Sequence, residues 1–350
     1  MVKASNSRHH MTWLPLVAVV VALLAVALPW IVKSPYLMHL VIMALIYGVL
    51  GMCFSVLFAA GRMTLGVGIF YVLGAYCSAV LVLRGGIPVW AALFITPVLA
   101  GITSLILGAI ILRGTAFSFG IITMLIALAI VQVVGQLSFF GGWTGFTDIP
   151  KPETIPLPFH GHIAFTGKTP YYYLILFIAT VISLCYYALY SSKIGRTWNS
   201  IKLSHRLAET VGVNLYRYRL LAFVVSSTAA AWVGAFYVHY NTVIEPTSFS
   251  GFFSISVQFY AVLGGINYFI AGPFVGAFVM VFVPEALRVT AVYNDIITGA
   301  LLIVLILFLP NGIVGTIVNA VRRRRGKPVQ EAPTVSWRAW AVSRLLRRGG

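Results

Sequence analysis

Acidic residues are nearly missing from this chain: 350 residues carry seven Asp and Glu against 24 Lys and Arg, and only 9% of them are charged. A soluble domain keeps about a quarter of its residues charged so that its surface can be solvated. With 60% of the residues apolar, that scarcity excludes such a domain. The surface faces lipid, and at roughly 20 residues per span the chain has room for about ten spans. Cysteine is scarce as well. Cys53, Cys77 and Cys185 each sit in an apolar stretch with no CxxC pair, which excludes a disulfide framework or a zinc site and reads as three buried small hydrophobes.

Chemistry is missing in the same way. Paired carboxylates, a Gly-x-Ser-x-Gly turn and a phosphate-binding Gly-rich Lys loop are all absent, so neither a membrane enzyme nor an ATPase is written into the chain. The seven acids, Asp148, Glu153, Glu209, Glu245, Glu285, Asp295 and Glu331, lie in loops or at span ends. A proton-driven carrier needs titratable groups at membrane depth, so this weighs against one and leaves open sodium coupling through backbone carbonyls. His160 and His162 form an HxH without a third ligand at a suitable spacing and read as solvated loop histidines, so no metal is expected.

Apolar runs bounded by charge or by Gly and Pro predict an all-α polytopic transmembrane helix bundle, with spans near 12–32, 36–60, 64–83, 87–112, 115–135, 170–190, 220–240, 252–268, 270–289 and 295–317. The third, eighth and ninth are Gly-rich and open to being broken or re-entrant. The first run, Trp13 to Val32, is too long for a cleaved signal and is expected to stay as the first span. With both termini cytoplasmic, nineteen Lys and Arg fall inside and five outside (Lys33, Arg84, Lys151, Lys168, Arg288), which sets the orientation. The net charge of +17 is therefore topological and not a nucleic-acid surface. The expected division is a cytoplasmic N-terminus 1–11, a membrane domain 12–318 and a basic cytoplasmic tail 319–350 that opens on Arg322 to Arg325.

Two loops are long enough to carry function. The outer loop 136–169 holds Pro150, Pro152, Pro156 and Pro158 with Gly141-Gly142, and predicts an ordered loop rather than a domain. In the inner loop 191–219, Trp198, Ile201, Ala208 and Val211 fall near one helical face, with Lys202, Arg206 and Glu209 on others. That pattern predicts a short amphipathic helix on the membrane surface, ended by Gly212 in the left-handed conformation.

What the spans do contain is small residues in series: Gly61, Gly66, Gly68 and Gly74, then Gly264, Gly265, Gly272 and Gly276. Small residues let helices touch in lipid, and they also open the backbone where a solute passes. Candidate path residues are Thr64, Gly66, Phe70, Tyr71, Tyr76, Thr123, Gly264 and Gly265. With no charge at depth to neutralise an ion, they suit a small solute with a largely apolar side chain, a leucine-like amino acid or a neutral amide.

Four stretches resemble a known family. They are Gly61-Arg62-Met63-Thr64-Leu65-Gly66 through Phe70 to Gly74-Ala75-Tyr76; Leu112-Arg113-Gly114 with Ile121-Ile122-Thr123, Gly141-Gly142 and Gly145; Gly195-Arg196, Ile201-Lys202, Ala208-Glu209 and Gly212-Val213-Asn214 to Ala222-Phe223; and Val262-Leu263-Gly264-Gly265 with Gly272-Pro273, Gly276-Ala277 and Pro284-Glu285. Over residues 36–318 the chain is similar to the membrane permease subunits of ABC importers for branched-chain amino acids, of the LivM type. The resemblance implies that Gly195, Arg196, Ile201, Lys202, Ala208, Glu209, Gly212 and Asn214 form the motif that docks on the ATPase. It also implies a bacterial inner-membrane location and a heterodimer with a homologous permease. Two cytoplasmic ATPase subunits would use the ATP, and a periplasmic solute-binding protein would meet the outer loops near 141–168 and 241–251. No cofactor is expected on this chain itself.

Thr64 stands where the family mostly has Ser, Leu203 and His205 where its docking helix carries acids, and Asn267-Tyr268 where it has a smaller segment. The last departure bears on the solute. The family also takes urea, short amides and other small solutes, and a permease for one of these, or an ion-coupled secondary carrier acting alone, is the alternative.

Overall fold

The computed structural model describes residues 25–157, 161–163, 165–249, 251–286, 299, 302–303, 309 and 311–324. The described chain is an all-α bundle, with one short hairpin, β1 (Ile155–Leu157) on β2 (Gly161–Ile163), in the outer loop. Its centre is α1 (Pro35–Ala59), buried over most of its length from Met38 to Ala59. A helix apolar on every side has no face to leave outside, and the middle of the bundle is where it fits.

Against α1 pack α5 (Lys168–Ser191), α8 (Leu215–Asn241) and the two C-terminal Gly-rich helices, while α2 (Gly68–Leu83) and α3 (Val89–Ile111) pack on the other side of α8, with α4 (Ala116–Gln136) beside them. Helices α2 and α8 approach backbone to backbone. A Cβ on Gly74 would stand 2.2 Å from Ala231 O, and one on Gly234 would stand 2.1 Å from Tyr71 O. Lipid exerts no hydrophobic force between helices, so contact this close, made by small residues, is what holds the pair. By contrast α3 and α5 turn Phe94, Val98, Ile110, Phe177 and Leu184 outward, each more than half exposed. Such faces are stable only against lipid or another apolar surface.

Five helices, α1, α3, α4, α5 and α8, are long and apolar enough to cross a membrane. The three Gly-rich spans are the short ones: α2, α9 (Gly251–Gly265) and α10 (Ala271–Ala286) have 15 or 16 residues. At 1.5 Å per residue each reaches about 23 Å, against roughly 30 Å of hydrocarbon. The chain is out of α-helix beside each of them, at 60–67, at 242–249 with a 3-10 turn over Pro246–Phe249, and at 266–270. Helices α9 and α10 close into a hairpin in which Gly264 meets Gly272 O and Gly276 meets Tyr260 O.

Most of the first expected span lies outside the described residues; 25–31 is helical. The tenth ends earlier than expected. The chain is out of helix at Leu309, Gly312 takes a φ of +71°, and a separate helix, α11 (Gly312–Arg324), runs through the expected 318/319 boundary into the arginine cluster. His160 also lies outside the described residues, and among those described no group of three metal-ligating side chains occurs.

The inner loop 191–219 folds as two helices rather than one. Ser204 (φ −158°, ψ 114°) separates α6 (Lys193–Leu203) from α7 (His205–Thr210), and its Oγ accepts Leu207 N at 3.4 Å to cap the second. Connections gather at two ends of the bundle. One end holds Arg62, Arg113, α6, α7 and Arg322 to Arg324; the other holds Lys33, Arg84, Lys151 and Lys168. The first is the end that the positive-inside rule places in the cytoplasm. The outer loop is ordered: Trp90 Nε1 donates to Glu153 O at 3.1 Å, and Phe146 bridges to Ile244.

Candidate translocation and coupling site

Non-helical backbone inside a membrane bundle must find partners for its N–H groups from neighbouring backbone or side chains. The unwound segment 60–67 does so. Gly66 N donates to Thr64 Oγ1 at 3.1 Å, Leu65 N to Thr123 Oγ1 at 3.2 Å, and Gly68 N, at the start of α2, to Ser254 Oγ at 3.1 Å. Thr123 in turn donates to Gly120 O at 2.8 Å. A Cβ on Gly66 would stand 2.4 Å from Thr123 O, so the segment lies flat on α4 only because position 66 has no side chain. Of the candidate path residues the fold therefore joins Thr64, Gly66 and Thr123 directly. Thr64 and Thr123 are buried.

Above them, α2 presents Phe70 and Tyr71. Phe70 meets the Phe223 ring edge-on at 5.5 Å. Tyr71 is the middle of an aromatic group: Phe253 stacks on it at 5.3 Å, with Tyr237 at 5.5 Å and Phe249 at 5.6 Å. Tyr237 and Phe249 also line a small hollow open at the outer end, together with Asn241, Val243, Ile244, Glu245 and Ser248. Glu245 accepts the Ser248 hydroxyl at 3.0 Å there. Tyr76 lies farther along α2 beneath Phe140 and Phe146 of the outer loop.

Gly264 and Gly265 have a different setting. The space beside Gly264 is filled by Gly272 O, and Gly265 packs against Gly312, so their backbone is covered by backbone.

The inner loop is sorted by burial. Trp198 and Ile201 are fully buried, Gly195 and Ala208 nearly so. Gly195 lies so close under Tyr190 O that a Cβ would meet it at 2.0 Å, and Trp198 Nε1 donates to Tyr218 O at 2.9 Å, fixing α6 to the start of α8. Arg196 and Glu209 face out. Gly212 has a φ of +80° and ends the segment as expected, and Asn214 Oδ1 caps α8 by accepting Arg217 N at 3.1 Å. Val211 does not join the buried face: it is 82% exposed, with Leu203 at 87% and Leu207 at 69%. The break at Ser204 rotates the second helix away from a continuous 3.6-residue count, which is why the periodicity misplaced Val211.

Lys202 links the inner loop to the bundle. Its Nζ lies 4.4 Å from the centre of the Phe58 ring at the end of α1 and donates to Asn267 Oδ1 at 3.2 Å, and burial lowers its pKa from the usual lysine range. Asn267-Tyr268, expected to bear on the solute, thus forms the α9–α10 turn beneath α6. Phe58, Ser254, Tyr237, Phe249 and Phe253 were not singled out in the sequence. Ser254 and Gln258, one turn apart in an apolar helix, are the polar signal that marks that face.

The family described as the permease component of branched-chain amino acid transport systems matches residues 36–306. The chain belongs to that family. Among its relatives, the high-affinity branched-chain amino acid transport system permease protein LivM of Escherichia coli K12 is 26% identical over 313 residues, covering 84% of this chain and 73% of that one. The LivM of Salmonella typhimurium is 25% identical over 312 residues. The corresponding LivH of Salmonella typhimurium is 27% identical over 202 residues, 54% of this permease and 64% of that protein. No solved structure matches. The apolar spans and the relatives together make this permease a multi-pass membrane protein.

Proposed function

We propose that this chain is one permease subunit of an ATP-driven importer in a bacterial inner membrane, and that it forms part of the path for branched-chain or other small neutral amino acids. The observation that carries the proposal is the inner loop. Trp198, Ile201 and Ala208 seat it on the bundle while Arg196, Leu203, Leu207, Glu209 and Val211 are turned to the cytoplasm, a mixed apolar and charged surface suited to a partner. That partner is a pair of ATPase subunits, which would supply the phosphate-binding loop that this sequence lacks. Similarity to relatives of two names, LivM and LivH, supports pairing with a homologous second permease, and the ordered outer loops offer a surface to a periplasmic binding protein.

For the solute, the Thr64–Gly66 segment with Thr123 offers hydroxyls, and the Tyr71 group offers aromatic walls, a combination that suits a zwitterion with an apolar side chain. The test is uptake into liposomes carrying the complex purified through a tag on this chain, with ATP inside and the binding protein outside. Labelled leucine should accumulate with ATP and be displaced by isoleucine and valine. Displacement by lysine, a dicarboxylate or urea alone would refute the solute class, and accumulation under an ion gradient without ATP would make the protein a secondary carrier.

A further inference from the structure

Transport as described above leaves one side chain of the unwound segment without a task. Arg62 is 5% exposed. Its Nη2 donates to Leu112 O at 3.3 Å and Gly114 O at 2.8 Å, at the turn between α3 and α4, and its guanidinium carbon lies 5.7 Å from the centre of the Phe119 ring. Its Nε and Nη1 are buried and have no hydrogen-bond partner. Arg219, in the first turns of α8, is the charge that acts on it, and Arg219 Nε is buried without a partner as well. Of the described acids only Glu209 acts on the pair, through Arg219, and it is exposed. The enclosed Arg62 guanidinium and the half-buried one of Arg219 repel each other, and each unmet N–H sealed from water is costly. An anion would meet these donors and cancel the repulsion.

We propose that Arg62 and Arg219 form an anion site at the inner end of the path, and that it takes the carboxylate of the amino acid as it leaves. This rests on the amino-acid transport reading. Two arginines offset by one nearby glutamate leave about one positive charge, which a carboxylate balances and a phosphate dianion overbalances. Two residues after Arg62 comes Thr64, in the hydroxyl-lined stretch assigned to the solute. The three unmet donors are sealed from solvent in this conformation, and the seal is touched by the coupling helices. Gly61 lies directly under His205 of α7, where a Cβ would be 2.7 Å from the ring, so displacement of α7 by the ATPase bears on the segment that holds Arg62.

The site predicts product inhibition from the cytoplasmic side that requires a carboxylate. Liposomes carrying the full complex are preloaded with leucine, leucinamide or inorganic phosphate, and ATP-driven uptake of labelled leucine is measured. Internal leucine should slow uptake by the wild type while leucinamide and phosphate do not. In both Arg62→Gln and Arg219→Gln the half-inhibiting leucine concentration should rise about tenfold, the order of one lost charge-assisted hydrogen bond, and Arg62→Lys should restore most of the sensitivity. Arg219→Gln leaves the Leu112 and Gly114 contacts in place, so it separates anion binding from the clamp on that turn. Unchanged inhibition in both Gln variants, or equal inhibition by leucinamide, would overturn the site, and inhibition by phosphate in place of leucine would overturn its assignment to the solute. A wild-type complex that takes up no leucine with ATP would instead overturn the transport reading.

Discussion

Replacing Trp198 with alanine should uncouple ATP hydrolysis from transport. The side chain is fully buried between α6 and α8, and large aromatic residues so placed cost about 3–5 kcal/mol when truncated. Its hydrogen bond contributes less. Tyr218 O lies in the first turn of α8, where it already accepts from the helix ladder, so losing Nε1 does not orphan it. An 11-residue helix has little stability of its own in water, and α6 stays folded and seated because Trp198, Ile201 and Gly195 hold it. Losing about 3–5 kcal/mol multiplies the unseated fraction by a factor of roughly 10² to 4 × 10³. Two readouts follow from that. In inside-out vesicles trypsin should cut faster at the exposed Lys193, Arg196 and Arg206. In the reconstituted complex ATP hydrolysis should continue while leucine uptake falls. Trp198→Phe keeps most of the buried ring and should stay close to wild type in both. If Trp198→Ala has wild-type uptake and wild-type cleavage, the inner loop is held by something else and α6 is not a rigid coupler.

Gly264→Ala places a methyl carbon 1.7 Å from Gly272 O, a backbone atom that cannot swing aside, and should lower the melting temperature of the purified complex, whereas Gly101→Ala meets only Thr228 Oγ1 at 3.2 Å and should be tolerated. Thr123→Val removes the acceptor of Leu65 N and should cost about 1–3 kcal/mol in stability with reduced uptake, and Thr123→Ser should retain both.

What the sequence made legible was set by local rules. Gly212 announced its left-handed turn because a helical face ends just before it, and the seating residues Trp198, Ile201 and Ala208 were readable from periodicity in a segment mixed enough to have a face. The spans themselves have none. Helix α1 is apolar on all sides, so its central place and the outward turn of α3 and α5 came only with the packing. Cys185 illustrates the difference: it lies in an apolar stretch as Cys53 does, yet Cys53 is buried and Cys185 exposed. Arg62 was counted as a marker of sidedness, because a single arginine between two apolar runs gives no sign that the chain folds it inward. The role of Asn267 was hidden for another reason: its partner, Lys202, is 65 residues away.

The inner loop meets the bundle on both sides of the Ser204 break. On α6, Lys202 reaches Phe58 and Asn267, so motion of this helix bears on the end of α1 and on the α9–α10 turn. At Gly61, the start of the segment that carries Arg62, Thr64 and Gly66, both halves meet the bundle: a Cβ there would stand 2.7 Å from the His205 ring of α7 and 3.5 Å from Ile201 Cγ2 of α6. A single straight helix would deliver one rigid displacement to both places. The break turns the chain without separating the halves: α6 is fixed to α8 through Trp198, α7 is seated through Ala208 in a small cluster with Ile201 and Leu215, and His205 Nδ1 lies 2.6 Å from Ile201 O across the break. Displacement at the exposed Leu207 and Val211 would therefore bear on Gly61 through His205 and Ile201 together, so a variant that loosens the Ile201 seat should change the unwound segment as much as one that loosens α7.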